Sequence, residues 1–142
     1  MFRKLTDRIY ASPQIGLDEV SRAADEGFSL IINNRPEDES PDQVPGEVIA
    51  SAARAAGLDY VAIPVTHAGF SEPQVRAMAD ALAGDGKVLA YCRSGTRSTL
   101  LWTLAEASRG VDPDELAQAA EQAGYDIGPV RAIADMLATR SQ

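Results

Sequence analysis

One stretch of the sequence decides the fold: Lys87-Val88-Leu89-Ala90-Tyr91-Cys92-Arg93-Ser94-Gly95-Thr96-Arg97-Ser98-Thr99-Leu100-Leu101-Trp102. Its residues 88–91 are apolar, which predicts a buried β-strand. The chain's only cysteine follows at once, and a turn leads into a helix predicted over 97–108. A turn between a strand and a helix directs unpaired backbone N–H groups and the positive end of the helix dipole at one point. The stretch therefore predicts an anion-binding loop that carries a thiol.

The loop favours a reactive thiolate at Cys92. Gly95 lets the backbone curl so that successive N–H groups face inward, and the planar fork of Arg97 matches an oxyanion. The same donors stabilise the charged form of the sulfur, which is the nucleophilic form, and the hydroxyls of Ser98 and Thr99 are candidates to donate to it. We therefore predict that Cys92 and Arg97 are catalytic. The predicted anion-binding residues of the loop are Arg93, Ser94, Gly95, Thr96 and Ser98.

Strand and helix patterns alternate along the chain and predict an α/β fold. Apolar runs predict strands at 9–11, 28–33, 60–65 and 88–91. Helical spacing predicts helices at 16–26, 45–56, 72–83, 97–108, 113–123 and 127–138. Such alternation is typical of βαβ units. We expect a mainly parallel central sheet of four to five strands, flanked by helices, with a helical C-terminus.

Two further loops follow predicted strands of the parallel sheet, so we expect them at the same edge as the cysteine loop. Ligands of such folds bind at this edge, beyond the carboxyl ends of the strands. The first follows Asn33 and contains Arg35, which either lines the anion site or pairs with the acidic run 37–39. The rest of that acidic loop is expected to be solvated. The second follows Val65 and contains His67, the only histidine. Arg93 is expected to point outward toward substrate.

The composition excludes several functional classes. At 142 residues, 45% hydrophobic and 24% charged, the chain has the size and balance of one globular domain over 1–142. A net charge of −8 argues against binding to nucleic acid or through a polybasic membrane patch, since both need clustered Lys and Arg. One cysteine and one histidine exclude an internal disulfide and a zinc cluster. With no signal peptide pattern, a reducing cytoplasm is the expected location. The oligomeric state stays open.

Several motifs, in order along the chain, resemble a known family. They are Ser12-Pro13-Gln14, Ile31-Ile32-Asn33-Asn34-Arg35-Pro36, Ile63-Pro64-Val65, Tyr91-Cys92-Arg93-Ser94-Gly95-Thr96-Arg97-Ser98 and Ala123-Gly124-Tyr125-Asp126. Together they resemble the bacterial phosphatase-like family that also occurs as a domain of beta-lactamase-hydrolase-like proteins. The resemblance implies the fold of the cysteine-dependent protein phosphatases, most similar to dual-specificity phosphatases.

The resemblance also implies a mechanism. The thiolate of Cys92 would attack phosphorus in line, while Arg97 and the loop N–H groups hold the equatorial oxygens. A cysteinyl-phosphate would form and be hydrolysed by water, with no metal or cofactor. Dual-specificity phosphatases place an Asp as general acid at or beside the position of His67. His67 is therefore the candidate proton donor here, since an imidazole titrates near neutral pH.

The loop length leaves alternatives open. Four residues separate Cys92 from Arg97, whereas phosphatases of this mechanism have five. Four is the spacing of many rhodanese-like sulfurtransferases, which carry sulfur on a cysteine persulfide. The partner is therefore a phosphorylated or a sulfur-donating small molecule or protein. A catalytically degenerate anion-binding module is the third possibility.

Overall fold

The computed structural model describes residues 1–141, which form a five-stranded sheet and six α-helices. The strands are β1 (Arg3–Lys4), β2 (Ile9–Ser12), β3 (Phe28–Asn33), β4 (Asp59–Ala62) and β5 (Lys87–Tyr91). The helices are α1 (Leu17–Asp25), α2 (Gly46–Ala55), α3 (Glu72–Ala81), α4 (Thr96–Ser108), α5 (Pro113–Gln122) and α6 (Arg131–Arg140). A 3₁₀ turn at Gly128–Val130 precedes α6.

The strand order is β1-β2-β5-β3-β4, and only β1 runs antiparallel to its neighbour. The strand that ends at the cysteine, β5, therefore lies in the centre of the sheet between β2 and β3. A strand with parallel neighbours on both sides and helices on both faces is apolar throughout, which explains the run at 88–91. The predicted α/β fold with a mainly parallel sheet and a helical C-terminus is confirmed.

The side chains of β5 alternate between two cores. Leu89 and Tyr91 pack with the cluster that α1 and α2 cover, and Val88 and Ala90 pack with the cluster around α4. Tyr91 is therefore a core residue and does not wall the cysteine loop. Burial raises the pKa of its hydroxyl well above the ordinary value.

Helix α4 crosses the sheet as a buried helix. It contacts α3, α5, α6 and the strands, and Trp102 is 1% exposed. Burying a large apolar side chain contributes about 1.5–3 kcal/mol, so this helix is a main source of the core's stability. Arg97 lies in the first turn of α4, so the packing of this buried helix fixes the backbone of Arg97.

The strands differ from the sequence-based predictions mainly at β4 and β1. The predicted strand 60–65 ends at Ala62, because Pro64 has no N–H for a ladder. The N–H groups of Ile63 and Val65 nevertheless donate to the carbonyls of Asn33 and Asn34, both at 2.9 Å, so the chain stays beside β3. The two-residue strand β1 was not predicted. No helix within 1–141 has both the length and the apolar composition to cross a bilayer.

Candidate active site

Cys92 follows the central strand directly, and the neighbouring loops are hydrogen-bonded to its surroundings. The N–H of Cys92 donates to the carbonyl of Ser12 at 3.3 Å. The N–H of Asn34 donates to the carbonyl of Tyr91 at 2.8 Å, and that of Gln14 to the carbonyl of Arg93 at 3.2 Å. The loops that follow β2 and β3 are thus fixed to the start and the flank of the cysteine loop.

The cysteine loop curls toward the sulfur. The N–H of Gly95 donates to Sγ of Cys92 at 3.1 Å, and Gly95 has a φ of 94°. Only glycine adopts this left-handed conformation without a Cβ penalty. The hydroxyl of Ser94 donates to that of Thr96 at 3.0 Å and accepts from the N–H of Thr96 at 3.3 Å, which closes the turn. A buried sulfur therefore receives a backbone donor at the N-terminus of α4.

The predicted anion-binding residues divide by exposure. Arg93, Ser94 and Thr96 are exposed, and Arg93 points outward as expected. The hydroxyl of Thr99 donates to the carbonyl of Gly95 at 2.9 Å, so the prediction that it donates to the sulfur is wrong. A helix threonine commonly makes this bond to the carbonyl four residues back. The hydroxyl of Ser98 is fully buried and has no partner within 1–141, so it can still serve the sulfur or a bound anion.

The guanidinium of Arg97 is held beside the sulfur. Its Nη1 donates to Oε2 of Glu39 at 2.6 Å and to the carbonyl of Val65 at 2.7 Å, and its Nη2 donates to Oε1 of Glu39 at 2.9 Å. Its pKa is raised, first by the hydrogen bonds to Glu39 and further by the charge of Cys92. The loops after β3, β4 and β5 therefore meet at one cation.

The sequence analysis named Glu39 only within the acidic run that Arg35 could pair with, and it missed the contact of Glu39 with Arg97. Its side chain is only 16% exposed and accepts from both Arg97 and Arg35. These hydrogen bonds, that of Arg97 first, lower its pKa to about 2. The carboxylate is therefore ionised near neutral pH and cannot donate a proton to a leaving group.

Arg35 forms the ion pair that was one of its two predicted roles. Its side chain is 4% exposed, and Nε donates to Oε1 of Glu39 at 2.9 Å. Nη1 donates to Oε1 of Gln14 at 2.9 Å, and Nη2 to the hydroxyl of Ser40 at 3.2 Å. Each of the three guanidinium nitrogens of Arg35 therefore has a protein partner. Its other predicted role, as a ligand of the anion, stays a prediction.

Tyr125 is a second residue that the analysis of the loop chemistry missed. Its hydroxyl donates to the carbonyl of Ser94 at 3.0 Å, and a Cβ on Gly95 would overlap that hydroxyl and lie 2.9 Å from Cζ. Burial is the main cause of its raised pKa, and the charge of Cys92 adds to it. The guanidinium of Arg3 lies 5.2 Å from the ring centroid. The loop after α5 therefore packs on the cysteine loop.

His67 lies in the exposed loop after β4. It is exposed and follows Val65, the residue whose carbonyl binds Arg97, by two positions. Within 1–141 no hydrogen bond or ion pair of its side chain is present. Its role as general acid stays a prediction.

Comparison with known proteins identifies the family of this chain. The model of the family described as "Beta-lactamase hydrolase-like protein, phosphatase-like domain" matches residues 1–109. The chain belongs to this family. A Beta-lactamase hydrolase-like protein of Xylella fastidiosa (strain Temecula1) is 36% identical over 126 residues, which are 87% of this chain. The chain spans 29% of the length of that curated relative.

Solved structures agree with this assignment to the phosphatase-like family. The protein nma1982 of Neisseria meningitidis Z2491 is 31% identical, with a TM-score of 0.82 over 95% of this chain and 96% of that chain. Kinase associated phosphatase, with its catalytic-site cysteine substituted by serine, has a TM-score of 0.72 over 96% and 94% at 14% identity. At that identity the likeness concerns the fold alone, which is that of the protein phosphatases.

Charged side chains of the protein line this phosphatase-like site. Within 1–141 there is no group of three or more His, Cys, Asp or Glu side chains that could hold a metal ion. Two buried arginines pair with one half-buried carboxylate, that of Glu39. The arginine in the first turn of α4 follows the cysteine loop directly. This arrangement suits a nucleophile that attacks an anion held by fixed donors.

Proposed function

We propose that this phosphatase-like domain hydrolyses a phosphomonoester through a cysteinyl-phosphate. The observation that carries the proposal is a backbone donor to Sγ of Cys92 at 3.1 Å together with the guanidinium of Arg97 in the first turn of the helix that follows. A nucleophile and a bidentate oxyanion ligand at one helix N-terminus are the two parts that the chemistry needs. The catalytic-site cysteine of kinase associated phosphatase lends support by analogy of fold.

The proposed reaction has two steps. In the first, the thiolate of Cys92 forms an S–P bond as the ester P–O bond breaks, and the leaving oxygen takes a proton from His67 or from water. In the second, a water oxygen attacks phosphorus while its proton passes to His67 or to solvent, the S–P bond breaks, and the thiolate and inorganic phosphate are released. Arg97 and the loop N–H groups hold the non-bridging oxygens throughout. The reducing cytoplasm is the proposed compartment, because the single cysteine is free.

The test is hydrolysis of a generic aryl phosphate by wild type and Cys92→Ser, purified in parallel. We expect phosphate release by wild type that vanadate inhibits, and none by Cys92→Ser. Arg97→Lys keeps the charge and loses the fork, so it should retain only a small part of the activity. Release by Cys92→Ser at the wild-type rate would refute the proposal.

The loop length supports a second candidate function, sulfur transfer. With four residues between Cys92 and Arg97, the ring of N–H groups is small and suits a sulfur oxyanion. The thiolate would attack the outer sulfur of thiosulfate, releasing sulfite and leaving a persulfide on Cys92. Cyanide would then take that sulfur as thiocyanate and restore the thiolate. The test is a mass gain of one sulfur on Cys92 after thiosulfate, together with thiocyanate formation that Cys92→Ser lacks.

A further inference from the structure

Three successive carbonyl groups of the cysteine loop accept hydrogen bonds from their surroundings, and the middle one belongs to Ser94. The carbonyl groups on either side of it accept from backbone N–H groups, those of Gln14 at 3.2 Å and Thr99 at 3.0 Å. The carbonyl of Ser94 accepts from the hydroxyl of Tyr125 at 3.0 Å. No other donor within 1–141 bonds to this carbonyl. The loss of one hydroxyl group would therefore release this part of the loop.

The peptide group that Tyr125 binds faces the sulfur with its other side. The carbonyl of Ser94 and the N–H of Gly95 belong to one peptide unit, and in a planar trans peptide the two point in opposite directions. The N–H donates to Sγ of Cys92 at 3.1 Å, while the carbonyl accepts from Tyr125. A rotation of this peptide away from Tyr125 would therefore also turn its N–H away from the sulfur.

Tyr125 is held in place by contacts outside the cysteine loop. Its N–H donates to the carbonyl of Ala120 in α5 at 2.8 Å, and the residue is 9% exposed within the core cluster around α4. The guanidinium of Arg3 lies 5.2 Å from the ring centroid, and its Nη1 donates to the carbonyl of Ala123 at 3.2 Å. The hydroxyl therefore has a fixed position from which it can fix the peptide.

We propose that Tyr125 is a positioning residue that holds the Ser94–Gly95 peptide with its N–H toward the sulfur of Cys92 and toward an oxyanion bound there. An N–H in this orientation favours both a thiolate and an oxyanion. The inference rests on the proposed function for the identity of the site and deepens it. It applies equally to the second candidate, because both reactions use the thiolate of Cys92.

A role of Tyr125 in packing alone makes a different prediction. Tyr125→Phe keeps the ring, its burial and its contact with Arg3, and it removes only the donor to Ser94. If the ring alone mattered, the N–H of Gly95 would stay at the sulfur in this variant. If the hydroxyl holds the peptide, that N–H is released although the ring still packs.

The first measurement is amide hydrogen exchange, followed residue by residue by NMR. Gly95 is buried and its N–H is bonded to the sulfur, so its exchange reports whether that bond persists. Leu89, buried in the central strand β5, reports global unfolding. We expect Tyr125→Phe to raise the exchange rate of Gly95 about 10-fold or more relative to that of Leu89. A similar change at both amides would show a loss of stability alone and overturn the inference.

The second measurement is anion binding without turnover. Alkylation of Cys92 by iodoacetamide is followed at increasing concentrations of inorganic phosphate and, separately, of thiosulfate. We expect Tyr125→Phe to weaken protection about 10-fold or more, as the loss of one hydrogen bond to a charged group does. Unchanged protection in Tyr125→Phe, or no protection of the wild type by either anion, would overturn the inference. If wild type is protected but hydrolyses no phosphate ester, the phosphatase proposal fails and the role of Tyr125 stands.

Tyr10→Phe is the matched control. It removes a tyrosine hydroxyl from β2, the strand beside β5, and among residues 1–141 this hydroxyl has no hydrogen-bond partner. Both readouts should stay within about 2-fold of wild type. Equal changes in Tyr10→Phe and Tyr125→Phe would show an effect of any lost hydroxyl and contradict the positioning role.

A rescue variant covers the case in which Tyr125→Phe does not fold, as judged by circular dichroism. Replacement of Tyr125 by 4-aminophenylalanine keeps the ring and restores an N–H donor at the place of the hydroxyl. Both the exchange of Gly95 and the protection by anions should return to within about 2-fold of wild type. If the amino group folds the chain but leaves the N–H of Gly95 unprotected, the donor to Ser94 does not position the peptide.

Discussion

Replacing Gly95 by alanine tests the geometry of the cysteine loop directly. The φ of 94° costs an alanine about 1–3 kcal/mol. The new Cβ would also overlap the hydroxyl of Tyr125 and approach its Cζ to 2.9 Å, and overpacking of this kind costs about 1–3 kcal/mol. We therefore expect Gly95→Ala to lower the free energy of unfolding by about 2–6 kcal/mol and to impair any reaction at Cys92.

The measurement is urea unfolding followed by the fluorescence of the buried Trp102. Gly84→Ala is the matched control, because a Cβ there meets no atom within 4 Å and the residue has no left-handed φ. It should change stability by no more than about 0.5 kcal/mol. A decrease in Gly95→Ala as small as that of Gly84→Ala would refute the loop geometry.

A double-mutant cycle separates the two costs. Tyr125→Phe removes the overlapping hydroxyl together with its hydrogen bond to Ser94, so alone it should cost about 1 kcal/mol. Combined with Gly95→Ala it also relieves part of the overlap, so the double mutant should be more stable than the sum of the single effects by about 1 kcal/mol. Strict additivity would show that Tyr125 does not pack on Gly95.

Three further predictions concern the cap of α3, the pKa of Glu39 and the role of His67. Ser71 accepts from the N–H of Gln74 as N-cap of α3, so Ser71→Ala should cost about 0.5–2 kcal/mol in urea unfolding, and no change would contradict the cap. The pKa of Glu39 is lowered from 4.5 to about 2, which contributes at most about 3 kcal/mol to the free energy of unfolding above pH 4.5. That contribution is lost as pH falls toward 2, so the stability difference from Glu39→Gln should shrink on acidification, whereas a constant difference would contradict the pKa. His67→Asn should slow hydrolysis of alkyl phosphates about 100-fold and that of aryl phosphates with good leaving groups much less, and equal effects would exclude an acid role.

Periodicity and turn residues were sufficient to predict most of the fold. The strand 28–33 matches β3 at both ends, since a continuous apolar run bounded by Gly27 and a polar loop has few alternatives. The helices predicted to begin at Glu72 and Pro113 begin there, each directly after a side chain that caps it, Ser71 and Asp112. Strand β1 was not predicted, because it has only two residues, one of them exposed, and so shows no periodic pattern.

Only the part of the site that is contiguous in sequence could be predicted. The strand, cysteine, glycine and arginine of the loop are adjacent in sequence, and local spacing was enough to bring them together. Glu39 and Tyr125 reach the loop across 58 and 31 residues, and no local pattern indicates such a contact. Within the acidic run, Glu39 looks the same as its neighbours, and only the tertiary structure makes it the partner of two arginines.

The central position of β5 has a consequence for synthesis of the chain. Strands β2 and β3 both pair with β5 and not with each other, yet β5 is the last strand to be made. A nascent chain that ends before residue 87 therefore has two apolar strands with open edges, which are surfaces that favour aggregation. The sheet can close only after β5 leaves the ribosome. Chaperone binding to nascent chains should consequently fall sharply once that strand has emerged.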